Sequence, residues 1–170
     1  MSKTLFILRH AKSDWSDVDL DDIERPLKPR GTRDARLIGD WLHHYCLEND
    51  VDSMHALVSP AVRAATTYDV VARSLTGIAR GHTRTEDMYM ADTAEMLEMI
   101  RACNHAEDAL MLVGHNPGMH DLVEKLTSLS LDRFPTCAVA CIEFDVRSWD
   151  TIVPKRYRAS QFIRPKLLRS

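Results

Sequence analysis

The chain has 170 residues, of which 45% are hydrophobic and 28% charged, so one well-buried core is expected, as a single domain over 1–170. This composition is that of an ordinary globular protein and excludes a disordered chain. The formal net charge of −3 hides an asymmetry: all 25 acidic residues lie at or before Asp150, and Lys155, Arg156, Arg158, Arg164, Lys166 and Arg169 follow.

Thr4 to Leu8 is a short continuous apolar run, the pattern of a strand covered on both faces. Ala11 to Lys28 is polar and acid-rich from Asp14 to Glu24 and reads as a long loop, which shapes access to a site or is solvated surface. Between Gly31 and Leu47 the residues Ala35, Leu37, Ile38, Trp41, Leu42 and Tyr45 recur at helical spacing. A second strand is expected at Ala56 to Val58. Ser59-Pro60 then opens a helix, with serine as N-cap and proline in the first turn, that stops near Gly77. A weaker strand is expected at His82 to Thr85, and a helix capped by Thr93 runs to Asn104.

Ala109 to Val113 is the clearest buried strand, and Asn116-Pro117 repeats the cap-plus-proline start for a helix to Leu126. Thr136 to Phe144 is strand-like and would pair with Trp149 to Val153. Strand and helix alternate, which predicts an α/β three-layer sandwich with a mostly parallel central sheet. The basic tail carries Tyr157, Phe162, Ile163, Leu167 and Leu168 between its charges, as a docked segment does, so no nucleic-acid or membrane partner is expected. Cys46, Cys103, Cys137 and Cys141 form no C-x-x-C pair, Cys137 and Cys141 would share one side of a strand, and there is no signal-peptide pattern. The chain therefore reads as cytoplasmic with reduced thiols.

Three apolar runs end in functional side chains: Leu5 to Leu8 in Arg9-His10, Ala56 to Val58 in Ser59-Pro60 with Arg63 beyond, and Leu110 to Val113 in Gly114-His115-Asn116-Pro117-Gly118. Strand ends are where open α/β sheets bind ligands. Two arginines supply bidentate donors and two helix starts supply N–H groups, which together suit a phosphoryl group. A histidine there acts as base, metal ligand or nucleophile. His10 and His115 lack a carboxylate partner at ligand spacing and have cationic neighbours, so the metal reading is weak and the nucleophile reading sharper.

Leu8-Arg9-His10-Ala11-Lys12-Ser13 resembles the R-H-G/A signature of the histidine phosphatase superfamily, and Ser59 to Thr67 resembles its S-P-x-x-R-A-x-x-T helix. Gly114 to Gly118, Asp22-Ile23-Glu24-Arg25-Pro26-Leu27 with Arg30-Gly31, and Phe162 to Lys166 are similar to the SixA-type phosphohistidine phosphatase branch. The resemblance spans nearly the whole chain. It implies a single domain of phosphoglycerate mutase-like fold, with His10 as nucleophile and Arg9, Arg63 and His115 on the phosphoryl group. Ser13 would add a hydroxyl or fix the loop, and neither cofactor nor metal is implied.

The chain departs from the superfamily pattern at one place. Many members carry a Glu general acid in an L-x-E-like segment after the third strand, where this sequence reads Met88-Tyr89-Met90, with Glu86, Asp87 and Asp92 nearby. Without that acid a good leaving group is favoured, and the imidazole of phosphohistidine leaves easily. The expected activity is hydrolysis of phosphohistidine on a partner protein through phospho-His10. The alternatives are a small-molecule phosphomonoesterase and a non-catalytic phosphoprotein-binding module.

Overall fold

The computed structural model describes residues 1–169. Strands β1 (Lys3–Arg9), β2 (Met54–Val58), β3 (Ala79–Arg84), β4 (Ala109–Gly114), β5 (Val139–Phe144) and β6 (Ala159–Ile163) form one sheet in the order β3-β2-β4-β1-β5-β6. The pairs β1–β4, β2–β4 and β2–β3 are parallel, while β5 runs antiparallel to both β1 and β6. The helices are α1 (Pro29–Glu48), α2 (Val62–Ser74), α3 (Thr93–Ala102) and α4 (Gly118–Leu126).

Strand β1 explains the continuous apolar run. Phe6 and Leu8 enter a core shared with α1 and α2, whereas Leu5 and Ile7 enter a second core shared with α3 and α4. Alternate residues of a strand point to opposite faces, so a strand between two helical layers must be apolar throughout. Each fully buried Leu or Phe contributes about 1.5 to 3 kcal/mol. The result is the expected three-layer α/β sandwich, and no described helix is long and apolar enough to cross a membrane.

Several local expectations are corrected. Helix α2 begins at Val62 with Ala61 as its N-cap, and the Ser59 hydroxyl, which accepts from the Ala61 N–H at 3.3 Å, also faces His115 Nε2 at 2.7 Å. Helix α3 is capped by Asp92 rather than Thr93: Asp92 Oδ1 accepts from the Glu95 N–H at 2.8 Å and Glu95 Oε2 from the Asp92 N–H at 2.9 Å, a capping box. Helix α4 starts at Gly118 after a cis Asn116–Pro117 bond, with Asn116 Oδ1 accepting from the His120 N–H at 3.3 Å.

The partner of β5 is β6, not Trp149 to Val153. Trp149 and Ile152 are both buried while Asp150 and Thr151 are exposed, a spacing of three that suits the 3₁₀ turn found at Trp149–Thr151 and not the alternation of a strand. Cys137 precedes β5 in a turn at φ 62°, although it and Cys141 enter the same core. The basic tail is docked as expected. Arg169 donates to both carboxylate oxygens of buried Asp34, at 3.1 and 2.6 Å.

Candidate active site

Strands β1, β2 and β4 carry their backbones to one end of the sheet. The His10 N–H donates to Gly114 carbonyl and the Ser59 N–H to Val113 carbonyl, each at 3.0 Å, so the ladder holds these residues level as they leave it. Arg9, His10, Arg63 and His115 are brought together there: the rings of His10 and His115 lie 5.2 Å apart, and Arg63 Nη2 is 3.2 Å from His115 Nδ1. Three of the four are buried, Arg63 at 3% exposure.

The backbone around His10 is fixed from both sides. The Ala11 N–H donates to Thr67 Oγ1 at 2.9 Å, and that hydroxyl donates to the Arg63 carbonyl at 2.6 Å. The Cys137 N–H donates to the His10 carbonyl at 3.0 Å. Gly31 lets the first turn of α1 press on the loop, since a Cβ there would collide with the Lys12 carbonyl.

The tautomers follow from the partners. His10 Nδ1 lies 2.8 Å from the Ala11 carbonyl, which can only accept, so Nδ1 carries the proton and Nε2 keeps its lone pair. His115 is the reverse. Arg63 donates to its Nδ1, so Nε2–H points to Ser59 Oγ at 2.7 Å. Burial pushes His10 down to about 3, with His115, Arg63 and Arg9 adding to the effect against the Ala11 bond. Burial, then Arg63, holds His115 at about 4. Both imidazoles are therefore neutral near pH 7.

Arg9 donates from Nη1 to the Phe134 carbonyl at 3.0 Å, which Asn116 Nδ2 also reaches, at 2.8 Å. The Nε atoms of Arg9 and Arg63 are buried without a hydrogen-bond partner among the described residues. Buried donors on two cations beside a neutral imidazole are a setting in which an anion gains more than water could supply. Ser13, expected either to add a hydroxyl to the pocket or to fix the loop, makes loop contacts. Its hydroxyl accepts from Arg25 Nη1 at 2.7 Å, and it bridges to Leu27 across the loop.

Two residues of the site escape the sequence reading. Asp22 accepts from Arg63 Nη2 at 2.9 Å and from Tyr89 Oη at 2.5 Å through Oδ2, and from Arg25 through Oδ1 at 3.1 and 3.2 Å. These bonds, Tyr89 first and then Arg63 and Arg25, hold its carboxyl down at about 2. Tyr89 also stands edge-on to His115, with ring centroids 5.4 Å apart. Arg25 is clamped in turn over the Trp15 ring, 3.4 Å from its centroid. The signals for Asp22 and Tyr89 were the Asp22-to-Leu27 motif and the central position of Met88-Tyr89-Met90.

The nearby acids stand differently. Glu86 and Asp87 are exposed on a 3₁₀ turn, whereas Asp92, besides capping α3, lines a cleft of about 120 Å³ with Met90, His115 and Asn116. Met90 is exposed and held at φ 54°.

No family model matches the chain. An uncharacterized protein of Mycobacterium tuberculosis is 32% identical over 145 residues, 79% of this chain and 85% of its own length. An uncharacterized chloroplastic protein of Arabidopsis thaliana is 26% identical over 164 residues, 88% of this chain and 70% of its own. Among solved structures, the protein histidine phosphatase SixA complexed with tungstate superposes with a TM-score of 0.78 at 22% identity, over 98% of this chain and 99% of that one. A candidate phosphohistidine phosphatase SixA from Agrobacterium tumefaciens gives 0.77 at 27% identity, over 96% and 98%. At that identity, over nearly the full length of both chains, the chain has the α/β fold of the histidine phosphatase superfamily, with SixA proteins among its structural neighbours.

Proposed function

We propose that the protein hydrolyses phosphohistidine on a partner protein through a phospho-His10 intermediate, without a metal in the reaction. The observation that carries this is the state of His10: its Nδ1–H is engaged by the Ala11 carbonyl, leaving a neutral Nε2 lone pair beside the guanidinia of Arg9 and Arg63, whose Nε atoms are buried. A neutral imidazole attacks phosphorus, and the arginines gather the equatorial oxygens as charge redistributes. The P–N bond to the substrate imidazole breaks as that ring takes a proton from solvent. Water then attacks phospho-His10 and breaks its P–N bond, which releases phosphate and restores the neutral ring, the water's proton passing to solvent. His115 faces the same phosphoryl group from β4.

The phosphohistidine preference rests on the exposed positions of Glu86, Asp87 and Met90 and on the capping bonds of Asp92. Glu86 and Asp87 lie exposed and Asp92 is engaged through Oδ1 in the α3 cap, so the leaving group is taken to depart without a dedicated acid, which an alkyl ester needs more than an imidazole does. A SixA protein of the same fold has been solved complexed with tungstate, an oxyanion, which supports an anion-binding role for this chain.

The test is a rapid quench that avoids acid, followed by mass spectrometry, with phosphohistidine protein, phosphoserine peptide and sugar phosphate compared side by side. Phosphate on His10 and turnover of the phosphohistidine protein above the others are expected. Phosphate on a serine or aspartate would overturn the mechanism, preference for a sugar phosphate the substrate, and binding without any turnover the enzymatic reading itself.

A further inference from the structure

His55, His105 and Glu107 form a cluster at the other end of the sheet from the catalytic residues, at the starts of the strands whose far ends carry them. His55 is the second residue of β2, whose far end leads to Ser59; at about 3.3 Å per residue the two are roughly 13 Å apart along the strand. His105 and Glu107 lie in the connection between α3 and β4, which also approaches the sheet at the starts of its parallel strands. One ligand atom from each residue falls within 4.8 Å of the others.

We infer that His55, His105 and Glu107 form a binding site for a divalent transition metal of the zinc class. Two imidazoles and one carboxylate suit zinc, cobalt or nickel, while magnesium and calcium require mostly oxygen ligands. Three protein ligands leave a fourth position to solvent.

The framework around the cluster is organised in advance. Ser53, just before β2, and Asp108, just after Glu107, bond each other reciprocally: Ser53 Oγ donates to Asp108 Oδ2 at 3.0 Å and accepts from the Asp108 N–H at 3.0 Å. The Ala109 N–H donates to the Ser53 carbonyl at 3.0 Å, so both segments that carry ligands are tied together. His55 Nε2 lies 3.0 Å from Thr83 Oγ1, the kind of outer bond that orients a ligating imidazole and leaves its other nitrogen free. Beside that other nitrogen stands Gly81, the β3 residue in register with His55, and a Cβ there would come within 3.6 Å of Nδ1.

His105 stacks on His55 with centroids 3.6 Å apart, and its Nδ1 is 3.9 Å from Glu107 Oε2. Stacked rings direct their lone pairs side by side, so closing on a metal requires a turn of one ring. His105 is the exposed one and makes that turn, while His55 stays buried. The Lys3 ammonium, held on the Glu107 carbonyl at 2.8 Å, keeps its charge and opposes a cation here, so binding rests on the two imidazoles and the Glu107 carboxylate.

The test is titration of the chelator-treated full chain with zinc chloride by calorimetry, and with cobalt(II) by visible absorption. One equivalent of either metal should bind, with a tetrahedral cobalt spectrum, and magnesium or calcium at the same concentration should not. His105→Ala and Glu107→Gln, both outside the buried core, should each weaken binding about tenfold or more, whereas His10→Ala should leave it unchanged. Absence of binding, binding indifferent to both substitutions, or binding lost with His10→Ala would overturn the site. Circular dichroism of each variant separates loss of a ligand from loss of fold.

Discussion

Asp22 holds Arg63 through two acceptors at once, its side-chain Oδ2 at 2.9 Å and its main-chain carbonyl at 2.6 Å. A carboxylate of the acidic loop thus sits in the fork of a guanidinium that we assign to the phosphoryl group. An entering oxyanion must compete with it. Asp22→Asn removes the competing charge, and since the carboxylate is half-exposed the gain is about 1 kcal/mol, roughly fivefold in affinity. Competitive inhibition by inorganic phosphate measures this directly. Weaker phosphate binding in the variant would mean that Asp22 orients Arg63 for its ligand instead of competing.

Ser59 accepts the Nε2–H of His115, and the same imidazole takes a hydrogen bond from Arg63 on its other face. Ser59→Ala leaves that buried N–H without its partner, at a cost of about 1 to 3 kcal/mol. A lower unfolding midpoint is expected, with a shift of the His115 ring-nitrogen resonances as the tautomer loses its constraint. Unchanged resonances would show that Arg63 alone sets the tautomer.

Much of the site was legible because strand ends announce themselves: Arg9-His10 and His115 follow directly on apolar runs, and a continuous run already implies two covered faces. The β5 partner was not legible, since Trp149 to Val153 is as apolar as a strand and only burial at a spacing of three reveals the turn. Ser59 was misread because a serine before a proline satisfies the rules of a helix cap, and nothing local says that a histidine from β4 takes its hydroxyl. Asp22 lay within a run of acids where one carboxylate looks like another. Only the fold brings it to Arg63, Arg25 and Tyr89 together.

His10 at about 3 and His115 at about 4 set the pH behaviour. Both are neutral from pH 5 to 8, so kcat/KM should show no ascending limb from the enzyme in that range. Stability follows the same values. Between pH 6.5 and about 3 the unfolded chain binds a proton at His10 that the folded chain refuses, so stability falls as pH drops through this window. Asp22, depressed from 3.8 to about 2, adds loss of the same sign at still lower pH. Unfolding midpoints from pH 7 to 4 measure it, and His10→Asn should flatten the curve.

Removing metal should separate the two ends of the sheet. Dialysis against a chelator is expected to leave turnover of phosphohistidine protein unchanged. Readdition of zinc at one hundred times its Kd should raise stability by about 2.7 kcal/mol. For a chain of this size that is roughly 5 to 10 °C in Tm. Loss of turnover restored by magnesium, manganese or zinc would count decisively against a metal-free reaction.

The last prediction concerns the leaving group. A phosphoryl acceptor without a positioned acid should respond steeply to leaving-group pKa, fast for phosphohistidine and aryl phosphates and slow for alkyl phosphates. The structure narrows the residues that would defeat this expectation. Glu86 and Asp87 are exposed on their turn, Asp22 is ionised down to about pH 2, and Asp92 lines the cleft beside His115 while spending Oδ1 on the Glu95 N–H. Asp92 is thus the acid to remove. Across a series of aryl and alkyl phosphates, Asp92→Asn should leave the steep slope unaltered, while Met90→Glu, which adds a carboxyl to the same cleft, should raise the alkyl rates and flatten it. A slope already flat in the native chain, and made steep by Asp92→Asn, would show that Asp92 protonates the leaving group and would remove the argument from leaving-group chemistry for phosphohistidine.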